Sequence, residues 1–270
     1  MEVLDMHEEE IFYGTPDGIK LCALINKYKG DKIHGNIIMC HGLNNDKDED
    51  DSFIKLSSIL NKKGYNTLRF DFRGHGDSGG NTEDVTIGGE LTDLESSVQL
   101  FDGILGLESK YVIISSSFGA SASILYTSKN KDRIEKLVLW NPVLDFKKTF
   151  LKAVTPWGKT FFNAAGYKEL QNKGYITIPE TEFKISLKLV EEFKRIKPYR
   201  VLSKFKIPVL TIHGTKDTAV PFEVSKKYGA PNEKSLFIAH ECEHTFVGMT
   251  DVVIKETVNW IMTGRISNEK

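Results

Sequence analysis

Short apolar runs alternate with amphipathic segments along most of this chain. The apolar runs have the length of strands and cover residues 36–40, 65–72, 111–115, 136–140, 209–213 and 235–239. Between them, hydrophobic residues recur at helical spacing, and helices are predicted after the acidic stretch 46–51 and over 91–105, 119–128 and 246–262. Two further β-like runs flank the turn Thr15-Pro16-Asp17-Gly18. This alternation predicts an α/β fold with a mostly parallel central sheet and helices on both faces.

One long segment interrupts the alternation. Residues 145–200 contain no clear buried strand, but they hold 10 of the 28 aromatic residues and twelve basic residues against six acidic ones. The segment predicts an inserted helical subdomain with a basic surface, and its aromatic residues make it a candidate lid over an apolar pocket. We therefore divide the chain into core residues 1–144, an inserted cap at 145–200 and core residues 201–270.

The composition limits the classes of protein to consider. Hydrophobic residues make up 40% of the 270 residues, enough for a large core, and the formal net charge of −1 gives no reason to expect a nucleic-acid partner. No apolar run reaches the roughly 20 residues that span a bilayer. The first ten residues are acidic where a signal peptide is basic and then apolar. With only three cysteines, Cys22, Cys40 and Cys242, the sequence predicts a cytoplasmic protein without a disulfide framework.

A glycine-rich motif at residues 74–79 matches the dinucleotide-binding pattern G-x-G-x-x-G. That fingerprint requires its third glycine to lie inside a helix, whereas Gly79 is followed by Gly80-Asn81-Thr82 and the next helical pattern begins near Gly88. We therefore interpret the motif as a glycine-rich turn at the sheet edge.

A candidate nucleophile lies where a buried strand meets a helix. In Ser115-Ser116-Ser117-Phe118-Gly119, Ser117 occupies the position of the serine in a G-x-S-x-G nucleophile elbow. Ser115 replaces the first glycine and Gly119 retains the second. The motif alone does not separate a nucleophile from a serine-rich helix cap.

Two later loops supply the partners that a nucleophilic serine needs. Asp217 follows the run 209–213, and His244 follows the run 235–239, so both belong at carboxyl ends of strands. The order serine, acid, histidine is the order of α/β hydrolases. Backbone N–H groups of Leu43 and Phe118 are the predicted oxyanion donors.

Residues 35–263 resemble the α/β-hydrolase superfamily. The similar segments are HGL at 41–43, DFRGHGDSGG at 71–80, SSSFG at 115–119, GTKDTAVP at 214–221 and EHTF at 243–246. The order and the insertion after Asn141-Pro142 most resemble bacterial esterases of the cinnamoyl or feruloyl type. The resemblance implies an α/β-hydrolase fold, Ser117 as nucleophile, His244 as base, Asp217 as its orienting acid, and a small cap over an acyl or aryl pocket.

Other residues near the expected site have alternative interpretations. His240 is a rival base, and Asp145 is a rival acid or a contact for a substrate hydroxyl. A zinc site from His41, His75 and Asp77 lacks a ligand spacing that we recognise, and the two histidines are better explained as braces for loops.

Cys242 is expected to be a small buried residue. Four cap aromatics are candidates to line the pocket: Trp157, Phe161, Phe162 and Tyr167. They are equally suited to form the core of the cap itself.

The sequence thus predicts a serine hydrolase that cleaves small carboxylic esters without a metal or organic cofactor. Its expected partner is a small-molecule ester, with neither nucleic acid nor membrane involved. A thioesterase or acyltransferase would use the same groups, and the basic cap suits a phosphate-bearing carrier. A prolyl-type peptidase would need an acidic anchor, for which Glu191 and Glu192 are available. The alternative from another class is a binding protein that lost catalysis.

Overall fold

The computed structural model describes residues 8–106 and 109–265, so most of the acidic N-terminus, residues 1–7, lies outside the described part. Ten strands are present in this part. They are β1 (Glu9–Gly14), β2 (Lys20–Asn26), β3 (Gly35–Cys40), β4 (Tyr65–Phe70), β5 (Tyr111–Ser116), β6 (Ile134–Trp140), β7 (Tyr175–Ile178), β8 (Phe183–Ser186), β9 (Val209–Gly214) and β10 (Leu236–His240).

Nine α-helices accompany the strands over the same described residues. They are α1 (Ser52–Lys62), α2 (Ile87–Leu105), α3 (Ala120–Lys129), α4 (Pro156–Phe161), α5 (Ala164–Lys173), α6 (Leu187–Arg195), α7 (Pro198–Leu202), α8 (Phe222–Tyr228) and α9 (Thr250–Thr263). The last helix begins four residues later than the sequence predicts, because Phe246 and Gly248 have positive φ values of 55° and 76° that a right-handed helix excludes.

Eight strands form one sheet in the order β1-β2-β4-β3-β5-β6-β9-β10. Only the pairs β1–β2 and β2–β4 are antiparallel, and all other neighbours are parallel. The prediction of a mostly parallel sheet is confirmed. Since the carboxyl ends of parallel strands lie at one edge, the loops after β3, β5, β9 and β10 meet there.

Both faces of the sheet are covered, as the apolar runs predict. In β3, Ile37 and Met39 pack with residues of α1 and α9, whereas Ile38 and Cys40 pack on the opposite face with residues of α2 and α3. This two-residue alternation between two buried clusters explains why the parallel strands read as continuous apolar runs.

The segment 145–200, here called the cap, follows β6 and returns to the sheet at β9. Its elements include α4, α5, α6 and the antiparallel pair β7–β8, which the sequence pattern did not predict. These two strands are only four residues long, too short for a period of two to be distinguished from a helical pattern. Glu192 ties the cap to the core, because its carboxylate accepts the N–H groups of Ile87 (2.6 Å) and Gly88 (3.3 Å) at the start of α2.

The helices of the described chain differ from membrane-spanning segments. None of them combines the length and the apolar character that crossing a bilayer requires.

Candidate active site

Ser117 lies on a strained turn between β5 and α3. Its φ is +47°, a left-handed conformation that a non-glycine residue rarely adopts. A Cβ at Gly119 would lie 2.2 Å from the carbonyl oxygen of His41, so only glycine fits at that position. Ser115, which stands where the usual motif has glycine, is buried and donates a hydrogen bond to the Ser123 hydroxyl (2.5 Å). The buried Ser115 hydroxyl is therefore hydrogen-bonded. A serine at this position is compatible with the turn at Ser117.

The loops after β9 and β10 bring an acid and a histidine to this serine. The Ser117 hydroxyl lies 2.9 Å from His244 Nε2, and His244 Nδ1 lies 2.6 Å from Asp217 Oδ2. A histidine that donates from Nδ1 to a carboxylate is free to accept the serine proton at Nε2. The structure thus places the three sequence-predicted residues in one hydrogen-bonded chain.

The Asp217 carboxylate is held from both sides. Oδ1 accepts the N–H groups of Ala219 (2.8 Å) and Val220 (2.7 Å). Oδ2 faces His244 and also lies 3.0 Å from Nε2 of His213, a fully buried residue at the end of β9. Burial alone would raise the pKa of Asp217, but the two histidines outweigh it and hold this pKa well below its ordinary value. His213 is a site residue that the sequence pattern did not reveal, since a histidine within an apolar strand reads as core.

The electrostatics of His244 favour the imidazolium. Burial lowers its pKa, but the hydrogen bond and charge of Asp217 oppose burial, and the charges of Glu49 and Glu243 add to them. The net result is a pKa above the ordinary 6.5. Glu241 is instead paired with Lys216 at 2.9 Å.

The loop after β3 brings backbone N–H groups to Ser117. A Cβ at Gly42 would lie 3.1 Å from Cβ of Ser117, so the two chain segments are in close contact here. The Leu43 N–H has no hydrogen-bond acceptor within the described residues. The Phe118 N–H lies in the first turn before α3, where backbone donors have no intrahelical acceptor. Both residues line the cavity at Ser117.

Buried histidines fix the loops behind the site. His41 Nε2 accepts the Phe72 N–H (2.9 Å), so Nδ1 carries the proton and donates to the Gly42 carbonyl (2.7 Å). His75 makes the equivalent pair of contacts with Asn44 and Arg73. Burial lowers the pKa of His41 to about 4 and that of His75 to about 3, so both rings are neutral. Asp77, the third group of the zinc alternative, pairs with Lys47 at 2.6 Å.

An apolar cavity of about 130 Å³ opens from Ser117 towards the cap. Its wall comes from the loop after β3, the turn at Ser117, the cap and the loop after Asp217. The lining residues are Leu43, Asn44, Ser117, Phe118, Val143, Thr149, Phe150, Trp157, Ile178, Ala219, Val220 and His244.

The sequence-predicted pocket residues are divided by the structure. Trp157 lines the apolar cavity, whereas Phe161, Phe162 and Tyr167 pack within the aromatic cluster of the cap and are not part of the lining. Asp145 also lies away from the cavity, where its carboxylate accepts the N–H groups of Lys147 (3.0 Å) and Lys148 (3.2 Å). The sequence pattern could not separate aromatic residues of the cavity wall from those of the cap core, because both environments are apolar.

The remaining candidates have other partners. His240 Nε2 lies 2.8 Å from Glu256, which directs this ring away from Ser117 and towards α9. Cys242 is buried and burial raises the pKa of its thiol, as expected for a structural cysteine.

A second, polar chamber of about 240 Å³ opens on another side of Ser117. One of its lining side chains is Glu49, whose Oε2 accepts the Gly42 N–H at 2.8 Å. Burial raises the pKa of Glu49 to about 7, and the Ser116 hydroxyl and the Gly42 N–H only partly oppose this effect. The sequence pattern did not single out Glu49, because an acidic run before a helix reads as a helix N-terminus.

The backbone around Glu49 is strained. Glu49, Asp50 and Asp51 have consecutive φ values of 47°, 51° and 65°. A left-handed conformation costs an L-residue roughly 1–2 kcal/mol. Such strain at a site is commonly retained where function requires it.

A family model and a curated protein are similar to this chain over most of its length. The Hydrolase_4 family model, described as serine aminopeptidase S33, matches residues 31–250. The uncharacterized protein YqkD of Bacillus subtilis strain 168 is 25% identical over 211 residues, or 77% of this chain and 64% of its own length. This chain therefore spans less than two thirds of that relative.

Solved structures with similar folds include several hydrolases. Est1E from Butyrivibrio proteoclasticus, solved with ferulic acid bound, is 24% identical to this chain, with a TM-score of 0.75. The superposition covers 93% of this chain and 97% of the Est1E chain. For the Pyrococcus furiosus esterase Pf2001 these values are 22%, 0.71, 96% and 91%. For mouse alpha/beta hydrolase domain-containing protein 10 they are 19%, 0.73, 94% and 98%. The sheet order and the similar solved structures show that this chain has the α/β-hydrolase fold. Because the family model matches residues 31–250, this chain belongs to the Hydrolase_4 (serine aminopeptidase, S33) family.

Proposed function

We propose that this protein is a serine esterase that cleaves small carboxylic esters, with acyl or aryl acid portions, through an acyl-enzyme. The observation that carries the proposal is the hydrogen-bonded chain from Ser117 through His244 to Asp217. This arrangement has the geometry of a nucleophile, a general base and an orienting carboxylate.

The first half-reaction forms the acyl-enzyme. Ser117 Oγ attacks the acyl carbon while His244 Nε2 takes its proton, and the Asp217 carboxylate stabilises the resulting imidazolium. The N–H groups of Leu43 and Phe118 donate to the oxyanion. When the tetrahedral intermediate collapses, the bond to the alcohol oxygen breaks and His244 gives its proton to that oxygen.

Water completes the cycle. It attacks the acyl carbon, His244 takes a proton from the water, and the second tetrahedral intermediate releases the carboxylic acid as Oγ recovers the proton. The protein's own residues supply every group in these steps, so we propose no metal or organic cofactor.

Two observations support an ester rather than a peptide as substrate. The candidate anchors for an amino terminus are engaged elsewhere, since Glu192 binds the start of α2 and Glu191 pairs with Lys194. The cavity lining on the cap side carries no carboxylate within the described chain. Est1E, which binds ferulic acid, and the Pf2001 esterase are structural neighbours whose names support the same assignment.

We also propose that the protein acts in the cytoplasm on a small molecule. The three cysteines are free and buried, which suits a reducing compartment. The near-zero net charge offers no electrostatic attraction to nucleic acid or to an anionic membrane.

The test is a rapid-mixing burst assay with p-nitrophenyl acetate and butyrate. We expect a burst of p-nitrophenol equal to the enzyme concentration, and its loss together with turnover in Ser117→Ala. Ser128→Ala is the matched control, because it makes the same change farther along α3, where the hydroxyl contacts the Leu125 carbonyl. Equal turnover in wild type and Ser117→Ala would overturn the assignment of the nucleophile. A folded wild type without turnover on either ester would overturn the esterase proposal.

A further inference from the structure

The space around Ser117 has two sides of opposite character. The apolar cavity lies towards the cap, and the polar chamber lies between the loop after β3 and the loop after β10. An ester bound for attack places its acyl carbon at Ser117 Oγ, so its acyl and alcohol portions must extend in different directions. The apolar cavity suits the acyl portion, which leaves the polar chamber for the alcohol.

The chamber carries hydrogen-bonding groups on most of its wall. Besides Ser117 and His244, its lining includes the polar side chains of Asn44, Asn45, Glu49 and Asp50. Two of these side chains are carboxylates, and no lysine or arginine of the described chain is among the lining residues. The wall therefore favours neutral or cationic groups that donate hydrogen bonds, and it disfavours anions.

Glu49 is the central acceptor of this wall. Its Oε2 binds the Gly42 N–H, and the Ser116 hydroxyl lies beside the same carboxyl. A carboxylate accepts about four hydrogen bonds, so acceptor capacity remains for a ligand. No lysine or arginine of the described residues forms a salt bridge with Glu49.

We propose that the polar chamber binds the alcohol portion of the substrate, and that Glu49 selects alcohols with additional hydroxyl groups, such as glycerol or a sugar. The inference rests on the ester hydrolysis proposed above and adds the class of leaving group. Glu49 acts here as a specificity residue, because it contacts the alcohol and takes no part in the bond changes. Esters of anionic alcohols, including phosphate-bearing ones, are the poorest substrates of this series.

The test compares butyrate esters that differ only in the alcohol. These are ethyl butyrate, glycerol 1-monobutyrate and carboxymethyl butyrate, with p-nitrophenyl butyrate as the assay of the acyl-enzyme chemistry itself. The value of kcat/KM is measured at pH 8 for wild type, Glu49→Gln and Asp51→Asn. Glutamine keeps an acceptor for the Gly42 N–H but removes the charge. Asp51→Asn is the matched control, since it makes the same change in charge in the same turn with a side chain outside the chamber lining.

We expect wild type and Asp51→Asn to favour the glycerol ester over the ethyl ester by about tenfold or more, the effect of a hydrogen bond to a charged group, and to disfavour the carboxymethyl ester. In Glu49→Gln the ratio of kcat/KM for the glycerol ester to kcat/KM for the ethyl ester should fall to within about threefold. Because this ratio is taken within one variant, any change in the acyl-enzyme chemistry that all four esters share cancels, and p-nitrophenyl butyrate measures that shared change. A wild type that does not discriminate between glycerol and ethyl esters would overturn the inference without requiring any variant. An equal loss for all four esters in Glu49→Gln would also overturn it, because Glu49 would then act only by holding the loop after β3 through the Gly42 N–H. Absence of turnover on p-nitrophenyl butyrate in wild type would instead count against the proposed function.

Discussion

Replacement of Glu49 by glutamine is expected to stabilise the folded protein above neutral pH. The ordinary pKa of glutamate is 4.5, and burial raises the pKa of Glu49 to about 7. Between these values the folded protein holds a proton that the unfolded chain releases, so stability falls as the pH rises through this range. Above pH 7 the carboxylate is charged in both the folded and the unfolded protein. Its desolvation then lowers the free energy of unfolding by the full amount.

The size of the effect follows from the same two values. Each pH unit between them corresponds to about 1.4 kcal/mol, so the charged carboxylate lowers the free energy of unfolding by up to about 3 kcal/mol at pH 8. Glutamine carries no charge and can still accept the Gly42 N–H, so the variant should recover part of this amount. The gain should shrink towards zero as the pH falls below 4.5, where the carboxyl of wild type becomes neutral in both states.

Urea unfolding followed by circular dichroism at pH 5 and pH 8 measures the difference. Wild type and Glu49→Gln are compared with Asp51→Asn, whose side chain does not cap α1 and should change stability by less than about 0.5 kcal/mol. A gain for Glu49→Gln that is equal at both pH values would refute the titration argument. A loss at pH 8 would show that the charged carboxylate stabilises the loop after β3 by more than its burial costs.

Three further predictions concern the candidate site and its support. Asp217→Asn should lower kcat for p-nitrophenyl butyrate by about 10³–10⁴-fold with the fold retained, and a loss below tenfold would remove Asp217 from the chemistry. Gly119→Ala should unfold the protein or leave it inactive, because its Cβ would lie 2.2 Å from the His41 carbonyl oxygen. The control is Gly103→Ala in α2, where no neighbouring atom lies within 4 Å of the new Cβ. Its free energy of unfolding in urea should rise by about 0.5–1 kcal/mol. The profile of kcat/KM against pH should fall on the acid side with a midpoint above 6.5, since the pKa of His244 is raised and the base must be neutral; a midpoint below 6 would contradict the influence of its acidic neighbours.

Much of the fold could be predicted from local pattern. Buried parallel strands must be apolar on both faces, so runs such as 111–115 stand out in the sequence. The β7–β8 pair of the cap could not be predicted in this way, because four-residue strands do not show a period clearly. The proximity of Ser117, Asp217 and His244 could be predicted from a general rule, because loops at the carboxyl ends of parallel strands converge.

Contacts between residues that are distant in sequence could not be predicted from the sequence pattern. Nothing local distinguishes Trp157, which lines the cavity, from Phe161 beside it, since the difference depends on how the cap folds over Ser117.

The amino-acid sequence by itself thus determined the α/β class, the strained serine turn and the order of the candidate chemical groups. These follow from short-range sterics and from the burial of strands. Only the tertiary structure decided that Glu49 lines the chamber at Ser117 and that His213 lies beside Asp217. An acidic residue before a helix and a histidine in a strand each have many possible neighbours, and it is the packing of distant loops that selects one of them.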